Sequence, residues 1–438
     1  MTESSALLPP DARRSLVIYR LFFPLVFVVL LPGFLLRMFR RGSFRDKFGQ
    51  RLGRYDAADR ARFAGGRWLW IHSISVGETL IALKLARELH THAPHFQIAL
   101  SVTTSTGLAL ASDAAGEWLA VLYNPIDSAR CVRAALDLIR PEKLLLIEGE
   151  VWPNLVAECR ARRIPVSLVN ARLSPRSERR MRAARRWVGP VFRLLDDVCV
   201  PESDDIARWQ SLGVSAEKIR VTGSIKFDSM SGVPTREAEF RALLAPLGVH
   251  ESTRILLGGS TWAPEEKTLA EMLPRLRAEF PDLFLILVPR HVERTAEILR
   301  TLAPLRIARR SALPLAQPCD ALLVDTTGEL RDWYALATVV FVGKSLPEVE
   351  QPGGQNPAEP AALGKPVLFG PRMDNFASIV DLLTAHGAAR TVVDPASLER
   401  EIAALLRDPA ARIAMSAAAQ AALATHRGAT QRTVSLLI

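Results

Sequence analysis

Short, continuous apolar runs that alternate with helical segments restrict the fold of this sequence more than any other feature. Twelve such runs follow one another between residues 67 and 371. In chain order they are RWLWIHSI, FQIALSVT, LAVLYN, KLLLIEGE, PVSLVNA, DVCVPE, KIRVTGSI, RILLGGST, LFLILVPR, ALLVDT, VVFVG and PVLFGP. Strands have this composition when helices cover both faces of a parallel sheet. Their alternation with helices predicts an α/β fold with doubly wound sheets.

Twelve strands are too many for one such sheet, and a turn-rich region near residues 225–250 offers a break. The length of 438 residues suits two or three domains. We therefore predict two Rossmann-like domains, residues 56–225 and 226–410, that face each other across a cleft. Residues 1–55 precede them. Residues 411–438 are predicted to form the last helices, and packing of these helices against the first domain is one arrangement that the sequence allows.

The N-terminal segment is apolar and then basic. Its apolar stretch, Leu21 to Leu36, is shorter than the roughly 20 residues of a full membrane span, and prolines interrupt it. Arginine or lysine follows at positions 37, 40, 41, 45, 47, 51 and 54. Positive charge stays on the cytoplasmic side of a membrane. We predict a membrane anchor, either spanning or interfacial, with the main body on the cytoplasmic side. The plain alternative is a buried helix packed on the domain.

The overall charge favours an anionic partner. The formal net charge is +10, which suits phosphates, nucleic acid or acidic lipid headgroups without choosing between them. The most basic run, RRMRAARRW at residues 179–187, has one tryptophan but no series of stacking aromatics, so we predict no nucleic-acid partner. A solvated helix face explains this run equally well. The four cysteines are scattered, which argues against a zinc site or a disulfide framework.

Carboxylates follow two of the predicted strands in the first domain. Glu78 comes directly after SISVG, and Glu148 and Glu150 follow KLLLI. An acidic residue at Glu78 has a structural explanation, because the helix dipole favours negative charge in a first turn. Two carboxylates that flank a glycine raise each other's proton affinity, which suits acid–base chemistry. Asn154 and Arg172 complete this strand-end set, and turn formation is the alternative explanation for such residues.

The second domain carries groups that suit an anion. The glycine-rich turn GGSTWAPEE brings Ser260 and Thr261 to a helix start, where backbone N–H groups can hold a phosphate. FVGKS lacks the first glycine of a phosphate loop, and no GxGxxG follows a strand. Further candidates for phosphate, carboxylate or ribose contacts follow strands or start helices: Arg290, Asn356, Glu359, Lys365 and Arg372. Carboxylates in one domain and anion ligands in the other are expected of a nucleotide-sugar transferase.

The motifs, taken together, resemble the Kdo (3-deoxy-D-manno-octulosonic acid) transferases of lipopolysaccharide synthesis. SVGE, ExExWPN, NARLS, KFD, GST…EE, LVPRH, GEL, VFVG-SL and GG-NP-EPAALGKPV-FGP-…NF occur in the family's order, from about Ser75 to Phe376. The resemblance implies a GT-B glycosyltransferase that moves Kdo from CMP-Kdo to a lipid A precursor. It further implies inversion at the anomeric carbon and no metal, cofactor or obligatory protein partner. The implied location is the cytoplasmic side of the inner membrane.

The same resemblance implies roles for individual residues. Glu78 would be the general base, with Glu148 and Glu150 as further catalytic residues. Arg172 and Asn154 would bind the acceptor. The donor would be bound by Ser260, Thr261, Arg290, Glu329, Asn356, Glu359, Lys226, Lys365 and Arg372. The chain departs from the family's usual pattern, because Trp262 and Gln355 stand where histidine is usual and Ser224 stands where asparagine is usual.

Three alternatives remain open. The first is a divergent GT-B enzyme that uses a related keto-acid sugar or another nucleotide sugar. The second is a nucleotide-sugar epimerase of the same fold, which would not need the N-terminal anchor. The third is an inactive membrane scaffold, which would be expected to have lost its carboxylates, whereas Glu78, Glu148 and Glu150 are all present.

Overall fold

A computed structural model describes residues 8–41, 47–173, 175–228, 235–303, 305–314 and 317–438. Arg45, one of the basic residues after the apolar stretch, lies outside these described residues. The chain forms two compact units. Unit 1 consists of Met1–Ser229 and Gly428–Ile438, and unit 2 consists of Met230–Arg427. Unit 1 therefore includes the C-terminal end of the chain.

Unit 1 contains a seven-stranded parallel sheet in the order β3-β2-β1-β4-β5-β6-β7. Its strands are β1 Arg67–His72, β2 Phe96–Val102, β3 Leu119–Tyr123, β4 Pro141–Ile147, β5 Val166–Val169, β6 Asp197–Val200 and β7 Ile219–Val221. Its first ten helices are α1 Pro10–Arg41, α2 Phe48–Arg51, α3 Ala57–Arg62, α4 Val76–His92, α5 Ser105–Ser112, α6 Ala129–Ile139, α7 Pro153–Ala161, α8 Pro175–Ala183, α9 Arg185–Phe192 and α10 Asp204–Ser211.

Both faces of this sheet are buried, as the continuous apolar runs predict. In β1, Trp68 and Trp70 belong to one hydrophobic cluster, while Leu69 and Ile71 belong to a second cluster. Successive side chains of a strand point to opposite faces, so each face has its own core. A strand with two covered faces must be apolar at every position, which is the pattern of the sequence.

Unit 2 contains a second seven-stranded parallel sheet, in the order β10-β11-β9-β8-β12-β13-β14. Its strands are β8 Ile255–Thr261, β9 Phe284–Pro289, β10 Ile307–Arg309, β11 Ala321–Leu323, β12 Val339–Val342, β13 Val367–Phe369 and β14 Ala389–Thr391. Its helices are α11 Glu237–Leu244, α12 Glu265–Glu279, α13 Thr295–Thr301, α14 Leu330–Leu336, α15 Ala358–Ala362, α16 Ala377–Ala385, α17 Pro395–Arg407 and α18 Pro409–Ala424. Helix α19, Ala429–Leu437, then returns to unit 1 and packs on α4.

All twelve predicted strands form, and the α/β prediction is confirmed. The structure adds β10 and β14, which the sequence did not predict. Each has only three residues, lies at an edge of its sheet and is buried at a single position. A short edge strand has one unpaired side, so it lacks the continuous apolar run of the central strands.

The N-terminal helix α1 begins in the core of unit 1, where Leu8, just before the helix, Ala12 and Leu16 are buried. Several later apolar side chains of α1 are exposed instead: Val17, Leu21, Phe22, Leu25, Val28 and Val29. Within the described parts of the chain, no helix combines the length and the apolar character needed to cross a membrane.

Each sheet has a switch point, where the chain continues from two neighbouring strands towards opposite edges of the sheet. In unit 1 it lies between β1 and β4, and in unit 2 between β8 and β12. Open α/β sheets bind ligands outside the carboxyl ends of the strands at such a point. Glu78 follows β1, and Glu148 and Glu150 follow β4. Ser260 and Thr261 end β8, so both predicted groups lie where the topology places a ligand.

Candidate active site

Glu78 occupies the first turn of α4 and is buried. The Ser75 hydroxyl accepts a hydrogen bond from the Glu78 backbone N–H at 3.2 Å. In return, the Glu78 carboxylate accepts from the N–H of Ile74 at 2.8 Å and of Ser75 at 3.3 Å. This reciprocal arrangement is a capping box. Burial raises the pKa of Glu78, and the hydrogen bonds from Ile74 and Ser75 oppose that increase.

Glu148 and Glu150 lie in the turn between β4 and α7. Glu148 has a φ of 59°, in the left-handed region that residues with a Cβ rarely adopt. The turn is tight, because a Cβ at Gly149 would lie 3.2 Å from the carbonyl oxygen of Arg172 and from a methyl carbon of Leu173. Strained backbone of this kind is concentrated at functional sites. The strain at Glu148 therefore supports a functional role for this turn.

The three carboxylates influence one another. Burial and then the charge of Glu78 raise the pKa of Glu148. Burial and the charges of Glu78 and Glu148 raise the pKa of Glu150 to about 7. Like charges that raise one another's pKa must lie close together in a poorly solvated place. The structure thus brings together the three residues predicted to be catalytic, and a pKa of about 7 leaves Glu150 partly protonated at neutral pH.

Two cations face this carboxylate cluster. Lys226 and Arg172 lower the pKa of Glu148 and so oppose the effects of burial and Glu78. Lys226 belongs to unit 1, although its position in the sequence had grouped it with the donor-binding residues of the second domain. Its turn, residues 224–228, is held by Asn170, whose side-chain oxygen accepts from the Ile225 N–H at 3.0 Å. The NARLS and KFD motifs therefore meet beside the carboxylates.

Asn154 lies at the strand end as predicted, but its side chain already has partners. It is buried at the start of α7, and its amide donates to the Asp127 carbonyl oxygen at 2.7 Å. Its side-chain oxygen accepts from Arg20 Nε at 2.6 Å. These contacts fix α7. Arg172, the other residue predicted to bind the acceptor, is exposed, and both roles stay predictions.

In unit 2, a buried glutamate organises the switch point. Glu265, at the start of α12, accepts hydrogen bonds from the backbone N–H of Lys344 at 2.7 Å, Ser345 at 2.9 Å and Leu346 at 3.1 Å. It also accepts from Trp262 at 3.0 Å. Backbone N–H groups arranged in this way can hold an anion, and here that anion is the protein's own carboxylate. The segment FVGKS therefore does not present its N–H groups to a nucleotide phosphate.

Ser260, Thr261 and Arg290 lie together at the end of β8 and β9. Ser260 has a φ of 52°, and Thr261 is fully buried, with no hydrogen-bond partner for its hydroxyl among the residues that the structure describes. The Arg290 N–H donates to the Thr261 carbonyl oxygen at 3.0 Å, while the Arg290 side chain is exposed. A backbone hydrogen bond from Arg372 to Ser345, at 3.0 Å, brings Arg372 to the neighbouring loop after β12. These four predicted donor ligands share one end of the sheet.

Lys344 is a candidate that the sequence prediction missed. Its ammonium nitrogen lies 4.5 Å from the ring centroid of Trp262. The His291 ring meets the same indole edge-on at 4.6 Å. Lys344 directly follows the apolar run of β12 and a glycine. Its position directly after β12, at the switch point, could have identified Lys344 from the sequence. The segment was not considered further because FVGKS lacks the first glycine of a phosphate loop.

The other predicted donor ligands are spread more widely. Asn356 Nδ2 donates to Glu359 Oε1 at 3.2 Å, and burial raises the pKa of Glu359. Glu329 accepts from the Arg310 guanidinium at 2.8 and 3.0 Å. Lys365 has its pKa lowered by burial and is influenced by Glu237 and Arg241 of α11.

Within the described residues, no group of three or more His, Cys, Asp or Glu side chains is arranged to hold a metal ion.

These features define the class of protein. Two doubly wound parallel sheets, each with polar residues at its switch point, are the architecture of the GT-B fold. The structure resembles the crystal structure of UDP-GlcNAc 2-epimerase from Neisseria meningitidis bound to UDP-GlcNAc, with a TM-score of 0.53 and 14% identity. That match covers 84% of this chain and 99% of the other. At this identity the similarity shows the fold alone, and the GT-B prediction is confirmed.

Sequence comparison then shows the family. Residues 46–229 match the family described as 3-Deoxy-D-manno-octulosonic-acid transferase (kdotransferase). The chain is 36% identical to the 3-deoxy-D-manno-octulosonic acid transferase of Bordetella pertussis, over 86% of this chain and 94% of that protein. It is 30% identical to the enzyme of the same name from Haemophilus influenzae, over 90% and 91%. The chain belongs to the 3-deoxy-D-manno-octulosonic acid transferase family, a family of glycosyltransferases.

Proposed function

We propose that this protein transfers Kdo from CMP-Kdo to a hydroxyl group of a lipid A precursor, with inversion and without a metal ion. The observation that carries the proposal is the cluster of Glu78, Glu148 and Glu150 at the switch point of unit 1. A hydroxyl group attacks an anomeric carbon only if a base removes its proton. A buried carboxylate with a raised pKa is suited to that task near neutral pH.

The bond changes assign a task to each group of residues. Glu78 takes the proton of the acceptor hydroxyl, and the resulting oxygen forms a bond to the anomeric carbon of Kdo. The bond from that carbon to the phosphate oxygen breaks, and CMP leaves with the electron pair. Arg290 and Lys344 supply positive charge for the departing phosphate. The acceptor oxygen attacks the face opposite the leaving group, so the configuration inverts.

Membrane association is the second part of the proposal. The exposed apolar residues of α1 suit the acyl region of a bilayer, and the arginines of α8 and α9 suit acidic headgroups. We place the protein at the cytoplasmic face of the inner membrane, where a lipid acceptor would be within reach. Replacing Leu25 and Val29 by Ser should reduce sedimentation with vesicles that contain an acidic phospholipid. Ile413→Ser, at an exposed apolar site of unit 2, is the control.

The transfer assay tests the reaction. The purified protein is incubated with CMP-Kdo and a lipid A precursor, and the products are identified by mass spectrometry. The proposal requires a product heavier than the acceptor by one or more Kdo residues. Parallel reactions replace CMP-Kdo by another CMP-activated keto-acid sugar or by UDP-GlcNAc. Transfer from either of these but not from CMP-Kdo would assign a different donor, and epimerised UDP-GlcNAc would indicate an epimerase.

A further inference from the structure

Arg20 connects the N-terminal helix α1 to the helix that follows the carboxylate turn. Its Nε donates to the side-chain oxygen of Asn154 at 2.6 Å, and its Nη2 donates to Glu158 Oε1 at 3.1 Å. Both acceptors lie in α7 and are buried. One guanidinium group therefore holds two successive turns of α7, and a planar, pre-organised fork is well suited to such a two-point contact.

The start of α7 needs this external support. Within the described part of the chain, its N-cap residue, Trp152, makes no side-chain capping hydrogen bond. The cap comes instead from Asp127, whose carboxylate accepts from the backbone N–H of Asn154 at 3.0 Å and of Leu155 at 2.9 Å. The Asn154 amide donates to the Asp127 carbonyl oxygen. Asn154 is thus held on one side by Asp127 and on the other by Arg20.

The same short segment carries the carboxylates. Glu150 lies four residues before Asn154 in the sequence. Only Val151, Trp152 and Pro153 separate them, and the Val151 N–H donates to the Gly149 carbonyl oxygen at 3.0 Å. A displacement at the start of α7 passes to Glu148 and Glu150 because so little chain lies between. Errors of about 1 Å in the position of a catalytic group can lower a rate by roughly 10²-fold.

From these contacts we infer that Arg20 is a positioning residue, which holds the Glu148–Glu150 turn in its reactive geometry through Asn154. The inference rests on the proposed transferase function. It assigns to α1 a role in turnover that is separate from any contact with a membrane. Arg20 does not itself touch the reacting atoms, so its effect should appear in kcat and in the protonation of the carboxylates, and not in donor affinity.

Arg133 offers a matched control. It donates two hydrogen bonds to Glu158, both at 2.9 Å, and thus shares one of the partners of Arg20. Asn154 is not among the partners of Arg133 in the described part of the chain. Arg133→Gln therefore removes the same charge and a contact to the same glutamate, but leaves Asn154 held. Arg20→Lys keeps the charge while losing the fork.

We expect Arg20→Gln to lower kcat by about tenfold or more, with a KM for CMP-Kdo within about twofold of the wild-type value. Arg133→Gln should keep kcat within about threefold. Arg20→Lys should recover part of the loss, since lysine keeps the charge but lacks the planar fork that fits both acceptors. Thermal unfolding of all three variants shows how much of any loss reflects lower stability.

A second measurement does not depend on turnover. The titration of Glu150, followed by carbon NMR of the labelled carboxyl, should change in Arg20→Gln but not in Arg133→Gln. Glu78 and Glu148 face Glu150, while Lys226 and Arg172 face Glu148, and none of these groups is altered by the variants. A wild-type titration and a wild-type kcat in Arg20→Gln would overturn the inference. Equal losses in both glutamine variants would also overturn it. Absence of Kdo transfer by the wild type would instead reject the proposed function.

Discussion

Ser75 and Glu78 cap each other at the start of α4, each accepting a hydrogen bond from the backbone N–H of the other. The acidic residue at this position therefore does stabilise the start of the helix. This does not compete with a catalytic role, because the same contacts fix a buried carboxylate at the carboxyl end of β1. Burial raises the pKa of Glu78, while hydrogen bonds from Ile74 and Ser75 limit the increase.

Glu78→Gln separates the two roles. Glutamine retains one side-chain oxygen for the capping box, while the N–H of Ile74 or Ser75 loses its acceptor, so the fold should be preserved at a cost of about 1–3 kcal/mol. It cannot take a proton from the acceptor, and loss of a general base typically costs about 10²–10⁴-fold in rate. We expect a loss of kcat in that range, measured as Kdo transferred per unit time. Glu88→Gln, later in the same helix, should retain wild-type activity. Near wild-type transfer by Glu78→Gln would rule out the base assignment.

The protonation of Glu150 should respond to its neighbours. Its pKa is raised to about 7 by burial and by the negative charges of Glu78 and Glu148. Removing a negative charge makes ionisation of a nearby carboxyl easier, so Glu78→Gln and Glu148→Gln should each lower the pKa of Glu150. Carbon NMR of labelled glutamate carboxyls can follow the titration. An unchanged midpoint in both variants would show that the three carboxylates are not coupled.

The same shift predicts a dependence of stability on pH. Glu150 has a pKa near 7 in the folded protein and an ordinary value of 4.5. Below pH 4.5 it is protonated in both the folded and unfolded states. As the pH rises towards 7 the unfolded state loses its proton first, so this group lowers the free energy of unfolding. Glu150→Gln should therefore stabilise unit 1 by about 1–3 kcal/mol at pH 8. At pH 4.5 the variant and wild type should unfold alike in urea.

The fold was more predictable than the contacts that complete the site. Central strands such as β1 and β4 must be apolar at every position, and this requirement is visible in the sequence. The edge strands β10 and β14 carry no such requirement and were missed. The topology then placed Glu78, Glu148 and Glu150 together, because the ends of adjacent parallel strands meet. Their grouping was predictable from strand ends, whereas their roles rest on resemblance.

Long-range side-chain contacts were not predictable. The Glu265 carboxylate binds N–H groups about 80 residues later in the chain, and no local pattern indicates that pairing. The resemblance predicted that Asn154 binds the acceptor, which stays a prediction, but nothing in the sequence indicated that its amide contacts Asp127 and Arg20. Position along a strand predicts the end of the sheet on which a residue lies. It does not predict which partners its side chain already has.

Lys344 should contribute to donor binding. Its ammonium lies above the Trp262 ring at the switch point of unit 2. Lys344 follows β12, Thr261 ends the neighbouring strand β8, and Arg290 follows β9, the next strand in the sheet. A charged contact to phosphate is worth about 1–3 kcal/mol. Lys344→Met should therefore raise the KM for CMP-Kdo by roughly tenfold, with little effect on the KM for the lipid acceptor. Lys267→Met, at an exposed position on α12, is the control. Equal KM values for the two variants would exclude Lys344 from the donor site.

Asp228 should be essential for holding α19 on unit 1. One of its carboxylate oxygens accepts from the Gly428 N–H, and the other accepts from the Thr430 N–H at 2.9 Å. Lys84 adds an ion pair at 3.3 Å. Asn has a single side-chain oxygen, so Asp228→Asn must leave one of these N–H groups unpaired and Lys84 without its anion. The cost should be about 1–3 kcal/mol.

Hydrogen exchange of the α19 amides measures this loss directly, because it reports opening of one helix without assuming that the two units unfold together. Exchange should accelerate by roughly 5- to 100-fold in Asp228→Asn. Asp408→Asn is the control, since Asp408 caps α18 through the single N–H of Ala411, and asparagine caps helices about as well as aspartate. Because Lys226 lies in the same turn as Asp228, Kdo transfer should fall with the loss of protection. Unchanged α19 exchange in Asp228→Asn would contradict this role.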